Sequence, residues 1–110
     1  MKLELNKITS QEEKIFLITG ANSGLGYETS KFLLKKGATV IMCCRDLIKG
    51  ERAKQKLSMF NYKGNMQLVE LDLSDLNNVK SASNKIRNQF NHIDVLINNA
   101  GIMAPPFTLS

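Results

Sequence analysis

The sequence has no apolar run approaching the roughly 18 to 20 residues that cross a membrane. Its opening stretch, Met1 to Ile15, carries Glu4, Glu12 and Glu13 in place of the apolar core of a secretory signal. Cysteine is nearly absent. Cys43 and Cys44 are adjacent in a segment that reads as strand, where neighbouring side chains point to opposite faces, so a disulfide between them is disfavoured. Two thiols are also too few for a structural zinc site. The single histidine, His92, has no second His or Cys near it and reads as a surface turn residue. Repeats, low-complexity segments and linkers are lacking as well. With 110 residues the chain has room for one small domain, and 43% apolar residues are enough to build its core, which excludes disorder and collagen-like repeats. These absences predict a reduced, intracellular, cytoplasmic domain that binds no metal.

Fifteen Lys+Arg against ten Asp+Glu give a net charge of +5. The lysines are scattered. Their densest groups, Lys31, Lys35 and Lys36 and then Lys49, Arg52, Lys54 and Lys56, fall on faces that read as solvated helix. No aromatic residues interleave with them, so no nucleic-acid partner is expected.

Four short apolar runs, Lys14–Thr19, Thr39–Cys43, Met66–Leu71 and Ile93–Asn98, alternate with longer stretches of helical period. The runs lack clean polar alternation, as strands buried on both faces of a parallel sheet do. Leu25, Thr29, Phe32 and Leu33 share one face of the first helix, which Gly37 closes. Ala53, Leu57 and Phe60 line the second. Val79, Ala82, Ile86 and Phe90 line the third, with Ser74 placed to cap it. Short connections between strand and helix imply right-handed crossovers. The expectation is an α/β, doubly wound parallel sheet of order 3-2-1-4 with three helices, over residues 14–110 behind a polar leader, residues 1–13. Such a fold is normally built of two halves, and past the fourth run Asn99 to Ser110, with Pro105 and Pro106, show no further helix. The chain therefore reads as the front half of something larger. Its fourth strand would present an open apolar edge through which it could self-associate.

The strongest chemical signal is Thr19-Gly20-Ala21-Asn22-Ser23-Gly24-Leu25-Gly26, between the first strand and the first helix. Gly20 turns the chain out of the strand, Gly24 admits a pyrophosphate to the backbone, and Gly26 lets the helix pack closely. The helix N-terminus offers free N–H groups to phosphates. The spacing is G-x-x-x-G-x-G.

That spacing resembles the short-chain dehydrogenase/reductase family, and three further segments agree: Leu71-Asp72-Leu73-Ser74, Ile93-Asp94-Val95-Leu96-Ile97, and Asn98-Asn99-Ala100-Gly101. The resemblance covers about residues 14 to 107. Gly101 to Phe107, with Cys44-Arg45-Asp46, look most like the retinol-dehydrogenase-like branch. The resemblance implies a Rossmann-like fold and hydride transfer between NADP(H) and a small alcohol or carbonyl substrate. It implies a cofactor site made of Gly20, Asn22, Ser23, Gly24, Leu25, Gly26, Arg45, Asp72, Leu73, Asn99, Ala100 and Gly101. Asp72 and Leu73 flank the adenine, and Asn99 to Gly101 pass beneath the adenine-side ribose. Asn98 reads instead as a buried amide tying strands together.

At the end of the second strand a dinucleotide fold that takes NAD carries an acidic residue for the ribose hydroxyl. Here Cys44 is neutral and Arg45 follows, which suits a 2′-phosphate. NADP is preferred over NAD. Asp46, twenty residues beyond Gly26, reads as a helix cap.

Tyr27-Glu28-Thr29-Ser30-Lys31 fits the family's catalytic Tyr-x-x-x-Lys spacing, but it lies in the helix after the glycine loop and is read as coincidence. No catalytic serine, tyrosine or lysine has a matching position, so these 110 residues alone are expected to be inactive. Two other functions compete: a non-catalytic nucleotide-binding or regulatory module, and a methyltransferase, which Ala104-Pro105-Pro106-Phe107 faintly echoes. Ala104 lacks the amide or carboxylate that a methyltransferase needs there.

Overall fold

The computed structural model describes residues 12–22 and 24–99. Four parallel strands, β1 (Ile15–Thr19), β2 (Thr39–Cys44), β3 (Asn65–Glu70) and β4 (Val95–Asn98), form one sheet in the order β3-β2-β1-β4. Three helices connect them: α1 (Gly24–Lys35), α2 (Leu47–Ser58) and α3 (Leu76–Gln89). This is the expected topology.

The alternation of each strand divides its apolar side chains between two layers. Phe16, Ile18, Val40 and Met42 face α1 and α2, where they meet Leu33, Leu34, Ala53 and Leu57. Leu17, Ile41, Cys43 and Val69 face α3 and its Val79, Ala82 and Ile86. Ile18, Val40, Ile41 and Met42 are fully buried. Strands covered on both faces have no room for polar alternation, which is why their sequences read as continuous apolar runs.

The helix ends follow local chemistry. Asp46 caps α2, accepting from the N–H groups of Ile48 and Lys49, as expected. Beyond α1, Gly37 takes a left-handed conformation, with its N–H donating to Leu34 O and that of Ala38 to Leu33 O, a Schellman closure. At α3 the cap is Asp75, which accepts from Asn77 and Asn78, and not Ser74. Ser74 turns its hydroxyl back to Asp72.

Three further expectations are corrected. Phe60 lies beyond the end of α2, half exposed, and stacks on Tyr62 with centroids 5.1 Å apart. The buried face of α1 is Gly26, Ser30, Leu33 and Leu34, whereas Leu25 is 72% exposed. Ser30 enters the core satisfied, its hydroxyl donating to Gly26 O at 2.8 Å. β4 begins at Val95 rather than Ile93, because Asp94 changes the ladder. Its N–H donates to Ile15 O, while its carboxylate accepts the Ile15 N–H at 2.7 Å in place of a strand carbonyl. Smaller differences of one residue separate β1, β2 and β3 from their expected bounds.

Cys43 and Cys44 are free and buried. Burial, with Cys44 beside it, pushes the Cys43 thiol up to about 12. Burial, then the charges of Asp46 and Glu51, push Cys44 up to about 11. Both raised values lie above the ordinary 9.0, so the unfolded chain ionises first as pH climbs past that value. Stability should therefore be retained below pH 9.0 and lost progressively towards pH 11–12, less steeply in a Cys43→Ala, Cys44→Ala variant. A thiol-exchange reagent at pH 8 should label both cysteines only after unfolding. Fast labelling of the native chain would contradict their burial.

Candidate functional site

A parallel sheet with right-handed crossovers delivers every strand's C-terminal end to the same rim. The direction of winding reverses between β1 and β4: α1 leaves β1 over one face of the sheet, and α3 leads into β4 from the other. Gly20, Asn22, Gly24, Leu25 and Gly26 follow β1, Arg45 follows β2, Asp72 and Leu73 follow β3, and Asn99 follows β4. The rim thus brings together every one of these residues proposed from the sequence. Ser23, Ala100 and Gly101 lie outside the described residues, as do most of the leader and the segment with Pro105 and Pro106.

At its centre the turn out of β1 packs against the first turn of α1. A Cβ on Gly26 would run into the Gly20 carbonyl oxygen and come within 2.7 Å of Asn99 Nδ2. Only hydrogen fits there. Gly24 differs: it holds φ +58°, and a Cβ built on it would meet nothing within 4 Å. Its constraint is the left-handed backbone, and the space above the start of α1 is open, a cradle that a side chain would enter.

Thr19 ties the crevice shut. Its hydroxyl donates to Asn98 Oδ1 at 2.7 Å and accepts the Asn99 N–H at 2.9 Å. Asn99 Nδ2 donates to Gly20 O at 3.3 Å. Asn98 does join the strands, though as an exposed residue at the sheet's rim and not as a buried amide. On the β3 side, Asp72 Oδ1 accepts from the Ser74 hydroxyl at 2.6 Å and the Ser74 N–H at 3.0 Å. The Asp72 N–H donates to Asn78 Oδ1 at 2.6 Å. The Ser74 hydroxyl, then the Ser74 N–H, hold the Asp72 carboxyl below the usual carboxylate range, and the Arg45 guanidinium adds a smaller pull. Asp72 thus presents an ionised, pre-oriented acceptor. Leu25 stands exposed beside the cradle.

A groove of about 400 Å³ runs from the loop along the seam between α1 and α2, lined by Asn22, Gly24, Tyr27, Lys49, Arg52, Ala53 and Lys56. The sequence places its three cations on a solvated face. Their spacing of three and four residues marks a single stripe of α2, but nothing in that spacing says that the stripe turns towards the glycine loop. Lys31 is drawn elsewhere, its ammonium 4.5 Å from the Phe60 ring centroid. His92 is exposed and pairs with Asp94 at 3.3 Å. Among the described residues, no group of three or more His, Cys, Asp and Glu could hold a metal ion, and no helix is long and apolar enough to cross a membrane.

The family model described as short chain dehydrogenase matches residues 14–109. The chain belongs to this family. Among curated proteins, it is 39% identical over 97 residues to retinol dehydrogenase 11 of Homo sapiens, covering 86% of this chain and 30% of that one. It is 38% identical over 101 residues to short-chain dehydrogenase/reductase prx1 of Penicillium roqueforti, covering 92% and 29%. Among solved structures, the RhlG/NADP active-site complex of Pseudomonas aeruginosa superposes with a TM-score of 0.75 at 30% identity, over 84% of this chain and 36% of that one. The chain therefore falls with the retinol-dehydrogenase-like branch, in a family of oxidoreductases that bind a nicotinamide cofactor. It spans about 30% of the length of the curated relatives that it matches.

Thr19→Val keeps the side chain's shape but removes both hydrogen bonds and strands the Asn99 N–H. The cost should be about 1–3 kcal/mol in denaturant unfolding. Hydrogen exchange at Asn99 and along β4 should accelerate. Unchanged exchange there would show that β4 is held by other means.

Proposed function

We propose that these residues are the cofactor-binding part of an NADP-dependent oxidoreductase that interconverts an alcohol and a carbonyl compound. The observation that carries this reading is the open cradle at Gly24, set at the reversal of winding, with Arg45 in place of an acid at the end of β2.

The site fits a dinucleotide. The left-handed backbone at Gly24 and the space above it suit a pyrophosphate resting on the first N–H groups of α1. Gly20 and Gly26 bring the turn and the helix close enough to form that floor. Asp72 Oδ2, which no described residue occupies, would accept from the adenine amino group, with Leu73 against the ring. Asn99, Ala100 and Gly101 would line the adenine-side ribose. Arg45 is exposed at the rim and would pair with a ribose 2′-phosphate. The bound nicotinamide supplies the hydride. Residues 14–110 are, in this reading, the front of a dinucleotide-binding domain. The catalytic acid and base are not among its described residues, since Tyr27 lines the α1–α2 groove and Lys31 rests over Phe60.

Two further proposals accompany this one. One is the cytoplasmic setting expected from the sequence. The outer edge of β4, which pairs only with β1 among the described residues, would accept another strand, from further chain or from a second copy.

Calorimetric titration with NADP and NAD tests the reading. Arg45→Ala should weaken NADP binding by roughly 1.5–3 kcal/mol and leave NAD nearly unchanged. Equal losses for both would remove Arg45 from the 2′-phosphate site. Gly24→Val should abolish binding of both while the fold persists, destabilised by about 1–2 kcal/mol for its left-handed backbone. A folded Gly24→Val protein with full affinity would leave the loop merely structural.

A further inference from the structure

Ser74 stands next to a helix cap without serving as one. Asp75 caps α3, accepting from Asn77 and Asn78. The Ser74 hydroxyl turns the other way and donates to Asp72 Oδ1 at 2.6 Å, the length of a hydroxyl bonded to an ionised carboxylate. The Ser74 N–H donates to the same oxygen at 3.0 Å. Ser74 is exposed, where water would satisfy its hydroxyl equally well, and α3 already has its cap. The contact therefore acts on Asp72.

A carboxylate left to itself turns readily about χ2, whose wells are broad. Two donors on one oxygen remove that freedom and leave Oδ2 as the open acceptor. The main chain of Asp72 is held as well. Its N–H donates to Asn78 Oδ1 at 2.6 Å, and its carbonyl accepts the Asp75 N–H at 3.0 Å. Asn78 is itself placed by the Asp75 cap, which accepts its N–H at 3.3 Å. The turn that enters α3 thus sets both the backbone and the side chain of Asp72. Arg45, at the end of β2, acts on the carboxyl less strongly than either group of Ser74.

We propose that Ser74 is a positioning residue: by fixing Asp72 it makes the site select an adenine over a base that carries an oxo group in place of the amino group. The inference rests on the reading that Asp72 Oδ2 accepts from the adenine amino group. An ionised carboxylate can only accept. Held still, it meets the amino N–H without the entropy loss of being ordered first. An oxo group sets a second acceptor against it and leaves both unpaired. A carboxylate free to turn would swing from the oxo group into water, so mobility at Asp72 would erase the discrimination.

The test is calorimetric titration of the full chain with NADP and with its hypoxanthine analogue, in which an oxo group replaces the adenine amino group. The unaltered protein should bind NADP about tenfold more tightly, as one hydrogen bond to a charged acceptor gives. Ser74→Ala should bring that ratio down to about threefold or less, chiefly by weakening NADP. Ser74→Thr keeps a hydroxyl and should keep the ratio. The Asp72 carboxyl, titrated by NMR without ligand, should rise towards the ordinary carboxylate range in Ser74→Ala and stay low in Ser74→Thr. Since Ser74 is exposed and Asp75 still caps α3, each variant should fold, which circular dichroism verifies. Equal weakening of both ligands by Ser74→Ala, or an unchanged ratio, overturns the proposal. If the unaltered protein binds both ligands alike, Asp72 does not read the base and this inference falls, while the cofactor reading stands. If it binds neither, both fall together.

Discussion

The contact on which the rest of the structure depends is that between the backbone of Gly26 and the carbonyl of Gly20. It brings the first turn of α1 down onto the turn that leaves β1, closer than any side chain allows. Once it is made, the rotation of α1 about its axis is settled. Ser30 then faces the sheet and satisfies its hydroxyl on Gly26 itself, Leu33 and Leu34 fill the layer, and Leu25 is left outside. Tyr27 is carried to the flank that faces α2. One missing methyl group thus sets the face that α1 buries, the shape of the cradle and the wall of the groove.

The β4 side answers the same contact. Asn99 reaches from the end of β4 to the Gly20 carbonyl, and Thr19 collects Asn98 and Asn99 with a single hydroxyl. The crevice is therefore a network of backbone and small polar groups, few of which are charged. Charge enters around its margins, at Asp72, Arg45 and the α2 stripe.

Much of this was legible in the sequence, and the exceptions share a cause. The strand order, the two-layer core, the cap at Asp46 and the glycine loop all follow from local patterns whose meaning does not depend on distant residues. Apolarity alone points Leu25 inwards, while the helix turns its small residues, Gly26 and Ser30, to the core. Ser74 has the right chemistry for a cap, but Asp75 beside it takes that place. The choice was made by Asp72, which holds the Ser74 hydroxyl. The start of β4 was set by a carboxylate replacing a carbonyl, which a composition-based reading cannot register. The stripe of Lys49, Arg52 and Lys56 was visible as a stripe, but only the packing of α2 beside α1 gives it a direction.

β4 pairs with β1 along its length and is fastened further at its two ends, by Asp94 to Ile15 at one and by Thr19 to Asn98 and Asn99 at the other. These fastenings join residues 79 and 80 positions apart. Closing so long a loop is entropically costly for a four-residue strand, whereas β1, β2 and β3 meet through crossovers of nearby sequence. The strand that completes the sheet is thus the one with least to gain from arriving early. Asn99 travels with it, so the Gly20 carbonyl receives its side-chain partner in the same step.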